Sequence, residues 1–270
     1  MTATRQTRRR RLTRRPLTRR PLALRPLTFR PLALRPLALL APAVVALALL
    51  LQPAALRAEP RNLDLVTQEL TAYHDSGAYA VELAEVDQQA LQRIEHRAAT
   101  AAPGAKLALV LDIDETSVSN WPDIVANGFA FLPNAPCRLD GTGRPSSPCG
   151  NNAWNGLAAA PAIEPTLALA KRAAELGVAI FFITGRHEHE RAATEKNLRG
   201  VGYPAWQQLY LQPDKGPHLA SAADFKAPVR ARIEAQGYSI VANIGDQVSD
   251  LTGGHAEAVF KLPNPFYRIK

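Results

Sequence analysis

Five short apolar runs, separated by segments with helical spacing, constrain the fold of this chain most. The runs are residues 106–111, 177–183, 208–211, 238–244 and 256–261. Uninterrupted apolar runs of this length are typical of strands buried on both faces of a parallel sheet. Helical spacing fills the gaps at residues 163–176, 191–199 and 225–236. The alternation predicts an α/β fold with a Rossmann-like parallel sheet of about five strands and helices on both faces.

The segment before the first strand predicts an N-terminal helical extension. Apolar residues between positions 63 and 99 recur at helical spacing, and Ser76-Gly77 interrupts them. We therefore expect two helices, the second of which ends before Pro103-Gly104.

Residues 1–58 differ in composition from the rest of the chain. They contain 13 Arg but no Lys, Asp or Glu, in Arg-Pro-Leu units followed by an apolar stretch at 37–51 and small residues. This order is typical of a secretory signal peptide, and a membrane span would need roughly 20 apolar residues. We expect 1–58 to be a leader and 59–270 to be an exported domain, periplasmic or extracellular, without stable membrane insertion after cleavage. An uncleaved N-terminal anchor is the alternative.

The charge distribution argues against one class of partner. The chain has 32 basic and 24 acidic residues, a net charge of +8. Because 13 of the basic residues lie in 1–58, residues 59–270 have 19 basic against 24 acidic side chains, a net charge of −5. A folded part with this balance offers no electrostatic basis for binding a nucleic acid polymer.

Candidate functional side chains follow the predicted strands at their carboxyl ends, where open parallel sheets bind ligands. They are Asp112 and Asp114 after the first strand, Thr184 and Gly185 after the second, Lys226 near the start of the last long helix, and Asp246 and Asp250 after the fourth strand. Asp112 and Asp114 are two residues apart in an extended segment, so they project to the same side. One carboxylate can attack phosphorus, while the other serves as general acid and base.

Several carboxylates would repel a phosphate dianion unless a cation lies among them. Mg²⁺ suits this role because it binds carboxylates together with substrate oxygens. We expect Asp112 and Asp246 to be ligands, with Asp250 in the outer shell or completing the site. Lys226 would supply a positive charge to the nucleophile and the phosphate. The Thr184 hydroxyl and the Gly185 N–H, expected at a helix N-terminus, would donate to the phosphate oxygens.

The four motifs together resemble the haloacid-dehalogenase-like superfamily. They are Asp-x-Asp-x-Thr at 112–116, Thr-Gly-Arg at 184–186, a later Lys, and Gly-Asp-x-x-x-Asp at 245–250. The chain is similar in particular to the acid phosphatase branch, which holds class C bacterial acid phosphatases and plant vegetative storage proteins. The similarity spans about residues 70 to 265, including Asn120 and Asn264. It implies an aspartyl-phosphate mechanism on Asp112, general acid/base catalysis by Asp114, and Mg²⁺ with the Asp114 backbone carbonyl as a further ligand.

Residues 117–160, between the first two strands, are too long for an ordinary loop. The resemblance implies that this insertion is a small cap over the site. It contains the only two cysteines, Cys137 and Cys149. In an exported chain we expect them to form a disulfide, the alternative being two unpaired thiols. Trp154 and Tyr267 can each stack on an aromatic substrate group, but ordinary packing is the favoured interpretation.

Three further features near the motifs have two interpretations. Arg186 can contact phosphate or pair with an acid. The segment 187–190, His-Glu-His-Glu, looks like a metal cluster, but alternating residues of a helix point apart, which favours a solvated first helical turn. Lys215 competes with Lys226, but its Pro-Asp-Lys-Gly-Pro setting is typical of a loop.

The sequence therefore predicts a secreted Mg²⁺-dependent acid phosphatase that hydrolyses small-molecule phosphate monoesters. A preference of the 5′-nucleotidase type is an alternative within the same chemistry, and a phosphomutase is another. A dehalogenase is disfavoured because halide needs no proton, which leaves Asp114 without a role. A non-enzymatic storage protein would be favoured by loss of the nucleophile, but Asp112 is present.

Overall fold

A computed structural model describes residues 59–216 and 219–269 of the chain. The predictions of a leader, a signal peptide and an alternative anchor in 1–58 lie outside the described residues. No helix within the described ranges combines the length and the apolar character needed to cross a bilayer.

Between residue 59 and the sheet the structure shows two helices, as predicted. Helix α1 is Leu63–Asp75, and helix α2 is Ala78–Thr100. The Asn62 side chain caps α1 by accepting a hydrogen bond from the Asp64 N–H at 2.9 Å. Gly77 separates the helices with a φ of +85°, a left-handed conformation that glycine adopts without steric cost.

The five strands form one parallel sheet, which confirms the predicted fold class. The strands are β1 Lys106–Leu111, β2 Ala179–His187, β3 Gln208–Gln212, β4 Tyr238–Gly245 and β5 Val259–Lys261, in the spatial order β3-β2-β1-β4-β5. All neighbouring pairs are parallel. Strand β1 is therefore central, and the order reverses beside it, where doubly wound sheets bind ligands.

Helices cover both faces of the sheet. The remaining helices are α3 Trp121–Ala126, α4 Asn151–Leu157, α5 Glu164–Glu175, α6 Arg191–Gly200, α7 Ala223–Ala235 and α8 Val248–Leu251. Side chains of β1 alternate between two apolar clusters. Leu109 packs in the cluster that includes α2 and α5, whereas Val110 packs against Val229 and Ile233 of α7. Burial on both sides explains the uninterrupted apolar run of β1.

The insertion at residues 117–160 contains α3, α4 and an irregular segment between them. A disulfide joins Cys137 to Cys149 within that segment, which confirms the predicted pairing. Trp121 of α3 stacks on His74 of α1 with ring centroids 3.8 Å apart, and it also contacts Phe266 near the C-terminus. The insertion is thereby packed against the N-terminal helical pair.

Candidate active site

The nucleophile candidate lies at the carboxyl end of the central strand. Asp112 directly follows β1, and its N–H donates to the Ile244 carbonyl of β4 at 3.0 Å. The Ser117 hydroxyl donates to the Asp112 carbonyl, and the Ser117 N–H donates to the Ile113 carbonyl. Glu115 adopts a left-handed φ of +51° in the turn. This tight turn keeps Asp112 at the sheet edge with its side chain buried.

Three carboxylates converge at this edge. One carboxylate oxygen each from Asp112, Asp246 and Asp250 lies within 4.8 Å of the others, and all three residues are buried. Asp246 follows β4, and Asp250 belongs to α8. Gly245 permits this approach, because a Cβ at that position would come within 2.5 Å of the Asp250 side chain. We call these three residues the carboxylate triad.

Asp246 is held by two amide side chains. Gln247 Nε2 and Asn264 Nδ2 each donate to its Oδ2 at 2.6 Å. Such partners fix the orientation of a carboxylate. The other oxygen, Oδ1, accepts a longer hydrogen bond from Thr116 Oγ1 at 3.4 Å. The role of Asn264 is one that the sequence interpretation did not assign, although the residue stands out between Pro263 and Pro265.

Lys226 is the cation that the structure places inside this cluster. Its Nζ lies 2.6 Å from Asp112 Oδ1 and 2.6 Å from Asp250 Oδ1. Burial by itself would lower the pKa of Lys226, but the two carboxylates outweigh burial and raise it. The competitor Lys215 is exposed in the loop after β3. The preference for Lys226 as the site lysine is consistent with this placement.

The site carries an excess of negative charge. Burial raises the pKa of Asp112 well above its usual range, Lys226 opposes this, and Asp250 and Asp246 add to it. Burial and then Asp250 also raise the pKa of Asp246. One ammonium therefore does not compensate three buried carboxylates. An all-oxygen donor set with this charge suits a hard divalent cation, and the residues present fit Mg²⁺.

Asp114 points to a different partner. Its Oδ1 accepts from Arg186 Nη2 at 2.7 Å and from Asn120 Nδ2 at 2.8 Å. Burial acts to raise the pKa of Asp114, but Arg186 and Asn120 outweigh burial and lower it. The structure thus answers the open question about Arg186, which pairs with an acid. The Asp114 carboxylate is not part of the carboxylate triad, so any metal contact would come from its backbone carbonyl, which stays a prediction.

Thr184 and Gly185 lie in a strand and not at a helix N-terminus. Strand β2 runs on to His187, and α6 begins only at Arg191. The prediction of a helix start here was wrong, because the pairing of β2 with β3 shifts register between Ile183 and His187 and resumes there. Thr184 is buried, and its Oγ1 accepts the Arg186 N–H at 3.1 Å.

The segment 187–190 forms a 3₁₀ turn at Glu188–Glu190 rather than the first turn of an α-helix. His187 and His189 are exposed, as expected for a solvated turn. Glu190 is buried, contrary to that expectation, because its Oε1 accepts from Asn155 Nδ2 of α4 at 2.9 Å and its Oε2 accepts the His187 N–H at 2.7 Å. This buried carboxylate therefore joins the insertion to the end of β2.

Trp154 packs inside the protein, as the favoured interpretation had it. It is 1% exposed, and its Nε1 donates to Asn120 Oδ1 at 2.8 Å. Tyr267 is half-buried and lines a cavity of about 420 Å³ together with Asp246, Gln247 and Asn264. The link from Trp154 through Asn120 to Asp114 was not foreseen from the sequence, because no pattern in the chain pairs an indole with an amide 34 residues away.

Comparison with known proteins gives one family. A family model described as HAD superfamily, subfamily IIIB (Acid phosphatase), matches residues 42–270. The match begins inside the predicted leader and extends through all the motifs. A solved structure of the class C acid phosphatase from Bacillus anthracis superposes with a TM-score of 0.56 at 23% identity, covering 76% of this chain and 86% of that one. This likeness supports the fold.

The chain is also similar to several curated proteins from plants. The stem 31 kDa glycoprotein of Glycine max is 42% identical over 165 residues, 60% of this chain and 59% of that protein. Acid phosphatase 1 of Solanum lycopersicum is 32% identical over 161 residues, covering 59% and 58%. Vegetative storage protein 1 of Arabidopsis thaliana is 32% identical over 163 residues, covering 59% and 54%. The chain thus matches between half and two thirds of the length of these relatives.

Proposed function

Because the chain belongs to the HAD superfamily, subfamily IIIB (acid phosphatase), we propose that it hydrolyses phosphate monoesters with Asp112 as the nucleophile. The observation that carries this proposal is the contact between Lys226 and Asp112 inside the carboxylate triad. A buried carboxylate beside a fixed ammonium, at the carboxyl end of the central strand, is suited to attack on a phosphoryl group.

The reaction proceeds in two displacements. An oxygen of Asp112 forms a bond to phosphorus, and the bond from phosphorus to the ester oxygen breaks. Because Arg186 and Asn120 lower the pKa of Asp114, acidic pH is needed to populate its protonated form. In that form Asp114 gives its proton to the departing oxygen, which leaves as an alcohol. Asp114 then takes a proton from water, whose oxygen attacks phosphorus and displaces the Asp112 carboxylate. Phosphate is released, and both carboxyl groups return to their starting states.

The residues around Asp112 would bind the phosphoryl group. Lys226 Nζ already contacts Asp112 and can also donate to a phosphate oxygen, since an ammonium has three donors. The Thr184 hydroxyl and the Gly185 N–H lie at the shifted end of β2 and would donate to the other oxygens. These donors replace water around the phosphoryl group without the helix N-terminus that the sequence predicted.

The carboxylate triad would hold Mg²⁺, with the Asp114 backbone carbonyl as the further ligand implied by the family resemblance. When bound, the cation would neutralise charge on the phosphoryl oxygens and so reduce their repulsion from the carboxylates. Gln247 and Asn264 keep Asp246 oriented for this role.

We also propose that the mature protein acts outside the cytoplasm, after removal of residues 1–58. The disulfide between Cys137 and Cys149 supports this, because disulfides persist in oxidising compartments. The insertion at 117–160 would serve as the cap that selects among small phosphomonoesters, including nucleoside monophosphates. An acidic pH optimum belongs to the same proposal and rests on the family and on the pair Asp112 and Asp114.

A storage role is the second candidate, because two relatives are named vegetative storage proteins. The experiment that separates the two is a phosphate-release assay on the purified protein with aryl, nucleoside and sugar phosphates, with Mg²⁺ and with EDTA, over a range of pH. We expect turnover with Mg²⁺ and its loss in EDTA. Asp112→Asn should abolish turnover and keep the fold. Absence of turnover by the wild-type protein on every substrate would favour storage.

A further inference from the structure

Asp114 is held from two sides by residues that do not belong to the carboxylate triad. We propose that Asn120 and Arg186 position the Asp114 carboxylate for proton transfer to the leaving oxygen, and that Trp154 of the insertion sets the orientation of Asn120. The proposal rests on the phosphatase function proposed above. We call Asn120 and Arg186 the Asp114 clamp.

The clamp occupies the two oxygens of Asp114 unequally. Oδ1 accepts from Asn120 Nδ2 at 2.8 Å, from Arg186 Nη2 at 2.7 Å and from Arg186 Nε at 3.2 Å. Oδ2 accepts only from Arg186 Nε, at 3.1 Å, among the residues that the structure describes. Oδ2 therefore has the free lone pair, and it is the oxygen that would carry the transferred proton.

The exposure of the two side chains supports proton transfer from Asp114. The Asp114 side chain is 27% exposed, whereas that of Arg186 is 3% exposed. A substrate can therefore reach the carboxyl group but not the guanidinium behind it. The planar fork of arginine fixes both the position and the plane of a carboxylate, which a single ammonium does not.

Arg186 is itself fixed from behind. Its Nη1 donates to Thr194 Oγ1 of α6 at 3.3 Å, and its backbone N–H donates to Thr184 Oγ1 at 3.1 Å. The side chain starts from the shifted end of β2, where the chain departs from regular pairing with β3. This irregularity gives Arg186 a place beside Asp114.

Trp154 determines which way the Asn120 amide points. An indole N–H can only donate, so Asn120 must turn its carbonyl oxygen toward Trp154 Nε1, at 2.8 Å. Its NH₂ group then faces Asp114. The opposite orientation would place a carbonyl against a carboxylate and leave the indole N–H without an acceptor. Both Asn120 and Trp154 are buried, so no water competes easily for these groups.

Asn120, Arg186 and Trp154 are positioning residues. Their effect on the rate of hydrolysis should depend on the leaving group of the substrate. An alkoxide is a poor leaving group and needs the proton from Asp114, whereas p-nitrophenolate leaves readily without it. General acid–base help is worth roughly 10²–10⁴-fold in rate. Misplacing Asp114 should therefore slow the hydrolysis of alkyl phosphates far more than that of p-nitrophenyl phosphate.

The test measures kcat/KM for a series of aryl and alkyl phosphates in the wild-type protein and in three variants. Arg186→Met removes the guanidinium, Arg186→Lys retains one charge without the fork, and Trp154→Phe retains a ring without the N–H. We expect the alkyl phosphate rate to fall by about 10²-fold in Arg186→Met and by about tenfold in Trp154→Phe, with a smaller loss on p-nitrophenyl phosphate. Arg186→Lys should recover only part of the loss.

A matched control lies next to Trp154 in the same helix. Asn155 of α4 donates to Glu190 but does not contact the clamp. Asn155→Ala should therefore change kcat/KM by a similar factor for all substrates. Circular dichroism checks that each variant is folded. If Arg186→Met does not fold, Trp154→Phe still provides the test. Equal losses on every leaving group in the Arg186 and Trp154 variants would overturn this proposal alone. A wild-type protein without turnover would overturn the proposed function and the clamp with it.

Discussion

Lys226 donates from Nζ to Asp112 Oδ1 over 2.6 Å, and the two side chains are only 5% and 8% exposed. The same ammonium reaches Asp250 at 2.6 Å. Lys226 is therefore both a candidate catalytic group and the ammonium that pairs with two buried carboxyl groups. Replacing Lys226 should therefore affect both turnover and the stability of the fold, and the two effects can be measured separately.

Lys226→Met should abolish most turnover and destabilise the metal-free protein. Removing one partner of a buried ion pair costs about 3–5 kcal/mol, because the remaining charge is left uncompensated. Urea unfolding in EDTA measures this change in the free energy of unfolding. Lys215→Met is the control, since Lys215 is exposed in a loop. A Lys226→Met protein as stable as the Lys215→Met protein would contradict the assigned ion pair.

Mg²⁺ should stabilise the folded protein through the carboxylate triad. A ligand that binds only the folded state adds about 2.7 kcal/mol at a concentration one hundred times its Kd. Thermal unfolding at increasing Mg²⁺ measures this without any assay of activity. Asp246→Asn should weaken the stabilisation. The double variant His187→Ala and His189→Ala should leave it unchanged, and a loss there would place the metal at the exposed histidine pair instead.

The fold could be predicted because strands buried on both faces of a sheet must be apolar, and such strands are recognisable in the sequence. Val110 and Leu109 face opposite apolar clusters, so β1 must be apolar throughout. The positions of Asp112 and Asp246 followed from the ends of those apolar runs. What a buried polar side chain contacts is not recognisable in this way, because its partner comes from a distant element. The Arg186 pairing and the burial of Glu190 depend on how β2 and α4 meet.

The extended end of β2 likewise could not be predicted from the sequence. A Thr-Gly-Arg sequence before a charged segment is compatible with a helix start, and the prediction relied on that. The strand continues because its pairing with β3 resumes at His187 and Gln212 after a shift. Such a register shift depends on the neighbouring strand and has no local signature.

Asp87 should make the stability of the protein depend on pH. The residue is 2% exposed in α2, its Oδ2 accepts from Thr166 Oγ1 at 2.8 Å, and its Oδ1 has no partner among the described residues. Burial raises the pKa of Asp87 to about 7, although the Thr166 hydrogen bond opposes this. The folded protein thus binds the Asp87 proton more tightly than the unfolded chain does.

The sign follows from this difference. The contribution of Asp87 is fully present below the unfolded pKa of about 4, and it is lost as the pH rises through about 7. The loss would be on the order of 4 kcal/mol at most. Asp87→Asn removes the titration and keeps the shape. Urea unfolding at several pH values should show the variant gaining stability relative to the wild-type protein as the pH rises, and a constant difference would rule out the buried proton.

The disulfide between Cys137 and Cys149 should stabilise the insertion and, through it, the position of Trp154. Cys149 is fully buried, and its backbone N–H and carbonyl both pair with the Asn127 side chain, at 2.9 and 2.7 Å. Helix α4 begins two residues after Cys149 and carries Trp154. Closing a loop of this size contributes on the order of 3 kcal/mol by restricting the unfolded chain.

Replacing both cysteines by Ala should therefore lower the free energy of unfolding by about that amount and leave the parallel sheet folded. Urea unfolding of the wild-type protein with and without reductant measures the contribution of the disulfide to the free energy of unfolding. The double variant is the control, because it has no thiols and reductant should not change its stability. If the insertion also holds the Asp114 clamp, the variant should lose more activity on alkyl phosphates than on p-nitrophenyl phosphate. A stable variant with unchanged kinetics on both substrates would show that Asn127 and the packing of Trp154 hold the insertion without the covalent link.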